Sequence, residues 1–309
     1  MAATVDLITG FLGAGKTTFI RSYGAWLRRR GIPYVVVENE FGIASVDSAI
    51  LKNDGAQVAE LSGGCICCGL KRDFAVLLSD VGRTGARIVV EPSGIFNPHD
   101  FFDIVFDPTL KDQCQLGGVV TIVDPHSFSS LDESTLDMLR EQINCSRYAI
   151  LSKTDGLPPE RAAVHAWDVR NLIENPSVAG VEARPWEQFG DDDYERFFFA
   201  EAPFTPRSRR QWNHSAMFET ALVFGVSVFT ENEILERIDV LSKSSAFGTI
   251  IRVKGYLKPA GEGYFEVNCT PRDRSIRRVD GKHRPFLTVI GRSLNRELLA
   301  KLFKDAKVG

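Results

Sequence analysis

The sequence predicts an α/β protein: a mostly parallel sheet with helices on both faces, followed by a smaller α+β domain at the C-terminus. In the first half, short apolar runs alternate with longer helical patterns, whereas the second half is dominated by strand patterns. The length of 309 residues exceeds one ordinary domain. With 44% apolar and 25% charged residues, the composition is typical of a globular protein.

Residues 1–190 are predicted to form the first domain. Continuous runs of Val, Ile and Leu between amphipathic helices are typical of parallel strands buried on both faces. The predicted strands are VDLI, YVVV, QVAEL, RIVV, GVVTIV and YAIL, and the predicted helices are TTFIRSYGAWLRRR, LKRDFAVLLSDV, STLDMLREQI and PERAAVHAWDVRNLI.

Residues 191–213 combine an acidic run, two prolines and a basic run, and we interpret them as a linker. The remaining residues, 214–309, are predicted to form an α+β domain with an antiparallel sheet. Its strand patterns are FETALVFGV, TIIRVKGYL, GYFEVN and FLTVIG, with helices near 231–242 and 295–304. Thr230 and Glu233 have the spacing of a capping box at the start of the first of these helices.

Charge and hydropathy exclude several classes of protein. The formal net charge of −3 gives no broad electrostatic reason to bind nucleic acid or an anionic membrane. The N-terminus has no apolar signal-peptide core, and no run approaches the roughly 18 apolar residues of a membrane span. We therefore expect a cytoplasmic protein, in which cysteines stay reduced.

A phosphate-binding loop is predicted at GFLGAGKT, residues 10–17, between the first strand and the first helix. Its glycines let backbone N–H groups surround a phosphate, and the helix N-terminus adds partial positive charge. Lys16 is expected to reach the β and γ phosphates, and the Thr17 hydroxyl to bind Mg²⁺. The predicted phosphate-binding residues are Gly10, Gly13, Ala14, Gly15, Lys16, Thr17 and Thr18.

A P-loop also requires an acidic residue at the end of another strand to hold Mg²⁺. Glu91 ends RIVVE and Asp124 ends GVVTIVD, so both meet this requirement. An acidic residue at such a position also serves as a helix N-cap, notably Asp124, which precedes a proline. The sequence alone ranks neither above the other.

The stretch SKTD, residues 152–155, follows a predicted strand and resembles the N-K-x-D guanine signature of GTPases. The Asp155 carboxylate can accept hydrogen bonds from two guanine N–H groups that adenine lacks, while the Lys153 methylenes cover the base. Ser152 replaces the usual Asn and makes fewer hydrogen bonds. The pattern predicts that GTP is bound in preference to ATP.

The stretch GGCICCG places Cys65, Cys67 and Cys68 within four positions of each other. Thiolates bind Zn²⁺ and other soft or borderline metals, and three ligands leave a coordination position open for exchange. A closed site would need a distant histidine such as His99 or His126. A redox switch and a structural cluster are the alternatives. The isolated Cys114, Cys145 and Cys269 are expected to be small buried apolar residues.

The order of these motifs resembles the CobW-like family of GTPases. The shared motifs are GFLGAGKTT, ENEFG with Asp47, GGCICC, EPSG and SKTD, and the segments RVKGYL and FLTVIGRSLNRELLAKLF are similar to the CobW C-terminal domain. The resemblance implies a SIMIBI-class P-loop fold and the insertion of metals into proteins or cofactors. It also implies that Cys65, Cys67 and Cys68 bind metal, that Glu91 binds Mg²⁺ or positions water, and that Asp47 is a catalytic switch acid.

Three departures from the family pattern concern individual residues. Ile43 stands where many relatives have a second switch Glu, Ser152 replaces the Asn of the guanine motif, and EPSG replaces the commoner ETTG.

We therefore predict a Mg²⁺-dependent GTPase with catalytic residues Lys16, Asp47 and Glu91 that carries Zn²⁺ or Co²⁺ to a client protein or cofactor pathway. The expected partners are GTP or GDP and an unidentified client, and a homo-oligomer is compatible with the sequence. The alternative is a nucleotide-dependent regulator or scaffold with a structural zinc. A small-molecule kinase would leave the guanine motif and the cysteines unexplained.

Overall fold

The computed structural model describes residues 2–39, 51, 56–61, 71–200, 204–208, 218–224, 229–259, 261–271, 273–281 and 283–304. They form two compact units, one from the described residues up to 208 and one from those after 217. The first unit contains β1 (Ala3–Thr9), α1 (Lys16–Arg29), β2 (Tyr34–Asn39), β3 (Gln57–Leu61), α2 (Lys71–Gly82), β4 (Arg87–Pro92), α3 (Pro98–Val105), β5 (Cys114–Val123), α4 (Glu133–Asn144), β6 (Tyr148–Leu151), α5 (Pro159–Arg170), β7 (Gly180–Glu182) and α6 (Asp191–Phe198).

The sheet of the first unit has the strand order β3-β2-β4-β1-β5-β6-β7, and every described pair is parallel. Alternate residues of β4 enter different cores, since Ile88 and Val90 belong to one apolar cluster and Val89 to another. Side chains of a strand alternate between faces, so both faces are covered. The predicted parallel α/β domain is confirmed.

The second unit is an antiparallel sheet with helices, as predicted. It contains β8 (Glu219–Phe224), α7 (Glu231–Lys243), β9 (Thr249–Leu257), β10 (Tyr264–Cys269), β11 (Arg274–Val279), β12 (Phe286–Arg292) and α8 (Arg296–Lys304). The strand order is β11-β10-β9-β12-β8. The predicted capping box of α7 is present, because the Glu233 N–H donates to Thr230 Oγ1 and the Thr230 N–H donates to Glu233 Oε2. No helix among the described residues has the length and apolar character needed to span a membrane.

The predicted linker over residues 191–213 begins too early. Residues 191–198 form helix α6, which buries Tyr194, Phe197 and Phe198 in the core of the first unit. The Phe198 ring stacks on Tyr23 with ring centroids 4.0 Å apart. The acidic run occupies the first turn of the helix, where negative charge interacts favourably with the helix dipole. It therefore starts a helix rather than a linker.

A buried ion pair joins the middle of β1 to the first residue of β4. Asp6 is fully buried, and Arg87 Nη2 donates to its Oδ1 at 2.7 Å. The Gly118 N–H and the Tyr23 hydroxyl also donate to this carboxylate, at 2.8 and 2.9 Å. Arg87 Nη2 donates in addition to the Phe198 carbonyl at 2.6 Å. The pair therefore connects β1, β4, β5, α1 and α6.

Removing the cation should leave an uncompensated charge in the core. We expect Arg87→Met to lower the free energy of unfolding of the first unit by about 3–5 kcal/mol at neutral pH. Burial already raises the pKa of Asp6 above its usual 3.8, and Arg87 opposes that effect. Without Arg87 the pKa of Asp6 in the folded state rises further. The loss of unfolding free energy in Arg87→Met should therefore become smaller as the pH falls toward 3.8.

Urea unfolding followed by tryptophan fluorescence measures this change, since Trp26, Trp167, Trp186 and Trp212 all precede the second unit. The matched control is Arg83→Met, because Arg83 forms an exposed pair with Asp80 at 3.8 Å. Such pairs contribute about 0–1 kcal/mol. Equal losses in the two variants would contradict a dominant role for the buried pair.

Candidate functional site

The P-loop lies at the carboxyl end of β1, and its glycines meet steric limits that other residues would violate. A Cβ on Gly10 would lie 2.2 Å from the Ile122 carbonyl oxygen of β5, and the φ of Gly10 is +141°. Gly13 and Gly15 also have positive φ, at 76° and 96°. Gly15 caps the start of α1. The loop is therefore pressed against β5 and presents the helix N-terminus, which suits a phosphate group.

Lys16, the first residue of α1, is buried and turned back over the loop. Its Nζ donates to the Gly10 carbonyl at 3.1 Å and to the Phe11 carbonyl at 3.4 Å. Ala14 is buried in the loop, and Thr18 is exposed in the first turn of the helix. The ammonium thus lies where the loop would enclose a phosphate. The glycine conformations, the helix N-terminus and this cation fit a nucleotide phosphate.

Thr17 and Glu91 meet although they are 74 positions apart in the sequence. The Thr17 hydroxyl donates to Glu91 Oε1 at 2.8 Å. Glu91 is the penultimate residue of β4, which lies beside β1, and its side chain is buried. A hydroxyl and a carboxylate at the edge of a P-loop are oxygen ligands of the kind Mg²⁺ takes.

Asp124, the other candidate acid, has different partners. Its Oδ1 accepts from the His126 N–H at 3.0 Å, which caps the short 3₁₀ helix Pro125–Ser130. Its Oδ2 lies 2.9 Å from Lys153 Nζ. The structure therefore brings Glu91, rather than Asp124, to the P-loop threonine, a ranking that the sequence left open.

The turn after Glu91 also contacts the P-loop, a role that the sequence analysis missed. A Cβ on Gly94 would lie 2.4 Å from the Leu12 backbone nitrogen. The Gly94 carbonyl accepts from Gln142 Nε2 of α4 at 3.1 Å. Any side chain at position 94 would push the P-loop away, so EPSG requires its glycine. In the sequence, this contact was signalled only by a glycine that follows an acidic residue near the end of a strand.

The SKTD segment adjoins the P-loop at the end of β6. Ser152 is buried, and its Oγ donates to the Val123 carbonyl at 3.3 Å. Its Cβ lies 3.7 Å from the position that a Cβ on Gly15 would occupy. Lys153 has a φ of 55°, which is unusual for a residue with a side chain. Its carbonyl oxygen lies 3.1 Å from His126 Nε2. The Asp155 side chain is exposed, so it is available to a ligand.

Several predicted site residues lie outside the described residues. They are Ile43, Asp47, Cys65, Cys67 and Cys68. Their predicted roles in the switch region and in metal binding remain predictions.

Comparisons with known proteins agree with this geometry. The family model for the CobW/HypB/UreG nucleotide-binding domain matches residues 4–178. The chain is 31% identical over 169 residues to the zinc chaperone YeiR of Escherichia coli, covering 54% of this chain and 51% of YeiR. It is 32% identical over 160 residues to the zinc chaperone YjiA of the same organism, covering 49% of each.

A third relative extends further along the chain. The zinc-regulated GTPase metalloprotein activator 1 of Dictyostelium discoideum is 28% identical over 301 residues, covering 82% of this chain and 62% of that protein. The chain spans about half the length of most of the curated relatives that it matches.

The two candidate acids should differ in their effects on the predicted Mg²⁺-dependent GTP hydrolysis. We expect Glu91→Gln to lower the rate by on the order of 10²-fold or more, because it removes a charge beside Thr17. Asp124→Asn should lower the rate by less than about tenfold, because Asp124 contacts His126 and Lys153 rather than Thr17. Lys16→Ala provides the reference for complete loss. Initial rates of phosphate release over a Mg²⁺ titration measure all three, and equal losses for Glu91→Gln and Asp124→Asn would contradict this assignment.

Proposed function

The chain belongs to the CobW/HypB/UreG family of nucleotide-binding proteins, and from this premise we propose that it is a GTP-hydrolysing zinc chaperone. It binds Mg·GTP in the first unit, carries a transition metal at Cys65, Cys67 and Cys68, and delivers the metal to a client in the cytoplasm. The hydrogen bond between Thr17 and Glu91 at the P-loop is the observation that best supports the binding of Mg·GTP. The relatives named as zinc chaperones support the metal half of the proposal.

In the proposed reaction the P-loop binds and orients the triphosphate. Backbone N–H groups and the start of α1 face the phosphates, and the Lys16 ammonium moves from the loop carbonyls to the β and γ phosphate oxygens. Thr17 and Glu91 are the residues that would hold Mg²⁺, and the ion would supply positive charge to the phosphates. Glu91 or Asp47 orients the attacking water. No arginine finger is evident from the sequence, so we expect the isolated protein to hydrolyse GTP slowly.

We propose that the SKTD segment selects guanine. Its backbone lies beside the P-loop through Ser152 and Gly15, and the exposed Asp155 is free to accept from a base. The Ser152 hydroxyl donates to the β5 backbone, so this residue supports the loop. Base recognition then depends on Asp155 and on the stem of Lys153.

Asp155→Asn replaces an acceptor by a group that also donates, so it should weaken GTP binding by about 10- to 150-fold, the equivalent of a hydrogen bond to a charged group. It should also favour xanthosine triphosphate, whose base offers an acceptor there. Competition binding with ATP, GTP and xanthosine triphosphate measures both effects. The matched control is Asp112→Asn, at an exposed position before β5. Wild-type protein that binds ATP as tightly as GTP would contradict guanine selection.

The metal-carrier proposal requires that nucleotide and metal binding are linked. The cysteines lie in sequence between the predicted switch segment, residues 39–47, and Glu91. In GTPases the γ-phosphate and Mg²⁺ order such segments. A coupling of about 1–3 kcal/mol would change zinc affinity by about 5- to 150-fold between the GTP and GDP states. Bound zinc must then change the preference for GTP over GDP by the same factor.

Zinc titration against a competing chelator, with GDP or a non-hydrolysable GTP analogue, tests this linkage. We expect different zinc affinities in the two states for the wild type, and loss of this difference when Cys65, Cys67 and Cys68 are all changed to Ser. Equal affinities would reject the carrier and favour the alternative, a regulator or scaffold with a structural zinc. That alternative further predicts unfolding when the metal is removed.

A further inference from the structure

A second set of metal-binding side chains lies inside the first unit, away from the cysteine motif in the sequence. His99 is the second residue of α3, Glu141 is in the last turn of α4, and Cys145 caps the end of α4. All three side chains are buried, with exposed fractions of 5%, 5% and 0%. It is the one group of at least three potential ligands found among the described residues.

The ligand atoms of this cluster converge on one point. His99 Nε2 lies 2.7 Å from Glu141 Oε1 and 3.5 Å from Cys145 Sγ, and the sulfur lies 3.9 Å from the same carboxylate oxygen. A tetrahedral zinc ion, with bonds of about 2.0–2.3 Å, holds its ligand atoms about 3.4–3.6 Å apart. Two of the three separations are within about 0.3 Å of that range. The third, the hydrogen bond between His99 and Glu141, must open for a metal to enter.

The chemistry of the three groups favours zinc. Imidazole nitrogen and thiolate sulfur are ligands of Zn²⁺, whereas Mg²⁺ takes oxygen ligands. A thiolate and a carboxylate together balance the two positive charges, so the loaded site would be neutral, which limits the cost of burial. Burial raises the pKa of the Cys145 thiol well above its usual range, so zinc would have to displace a proton from it.

We propose that His99, Glu141 and Cys145 form a second zinc site in the first unit, distinct from the predicted site at Cys65, Cys67 and Cys68. Three protein ligands leave the fourth position for water, as in zinc sites that exchange a ligand. This site uses a cysteine that the sequence analysis assigned to the apolar core.

Two neighbouring segments contact Cys145 or the helix that carries the cluster. The Arg207 backbone N–H hydrogen-bonds to Cys145, so this residue lies beside the sulfur. On α4, Gln142 donates to the Gly94 and Phe96 carbonyls at 3.1 and 3.3 Å. The proposed site is thus built on the helix that also holds the turn after Glu91.

The test starts from a background without the cysteine motif, the variant with Cys65, Cys67 and Cys68 changed to Ser. We expect this protein, purified from zinc-supplemented cultures, to retain about one zinc per chain by native mass spectrometry. Adding Cys145→Ser or His99→Gln should lower the zinc affinity by about 10- to 100-fold or more. A loss of about 10- to 100-fold is typical when a residue that only supports a metal ligand is removed, so loss of a ligand itself should cost at least as much. Affinity is measured by chelator competition at equilibrium.

Cobalt substitution identifies the ligand directly, because surface histidines and carboxylates give no thiolate-to-cobalt charge-transfer band. The background variant should show this band, and Cys145→Ser should remove it. The matched control is Cys114→Ser: Cys114 is another buried cysteine, whose Sγ donates to the Leu78 carbonyl. His99→Gln keeps a hydrogen-bonding group beside Glu141, so it tests the site if Cys145→Ser fails to fold, as judged by circular dichroism. A background variant without zinc, or a band that survives both substitutions, would overturn the proposal.

Discussion

The alignment of β1 with β4 is the constraint on which the site depends, and the ion pair between Asp6 and Arg87 stabilises it. The pair joins the middle of β1 to the first residue of β4, and Gly118 of β5 also donates to Asp6. Parallel strands carry a register along their whole length, with Asp6 opposite Val89 and Leu7 opposite Val90. By stabilising this register, the pair helps to place Gly10 and Glu91 at the carboxyl ends of the two strands.

At the carboxyl ends, three contacts join separate parts of the chain into one phosphate-binding edge. Thr17 donates to Glu91, Gly94 packs against Leu12, and Gln142 holds the Gly94 carbonyl. Nucleotide binding would act on the first of these contacts, and zinc at the cluster of His99, Glu141 and Cys145 would act on the helix that makes the third. Both proposed ligands would therefore bind next to residues that contact Glu91 or the turn that follows it.

Much of the fold was predictable because its signals are local. Continuous Val and Ile runs predicted the buried parallel strands, and the spacing of Thr230 and Glu233 predicted the start of α7. The P-loop was predictable for the same reason, since its glycines and Lys16 are consecutive in sequence. The acidic run at residues 191–193 is ambiguous in the sequence, because a helix N-terminus and a solvated linker both favour such residues. The buried aromatic residues that follow it decided between them.

By itself, the sequence determined the class of fold, the position of the P-loop and the resemblance to one family, since each depends on residues that are neighbours in the chain. Only the tertiary structure decided which acid meets Thr17. The strands that lead to Glu91 and to Asp124 both lie beside β1, so the strand order does not separate the two acids. The side-chain contacts do, since Thr17 donates to Glu91 whereas Asp124 pairs with Lys153. The tertiary structure also decided that Cys145 lies with His99, 46 positions away. Contacts between distant residues follow from how strands are ordered and helices pack, and composition and spacing do not encode that order locally.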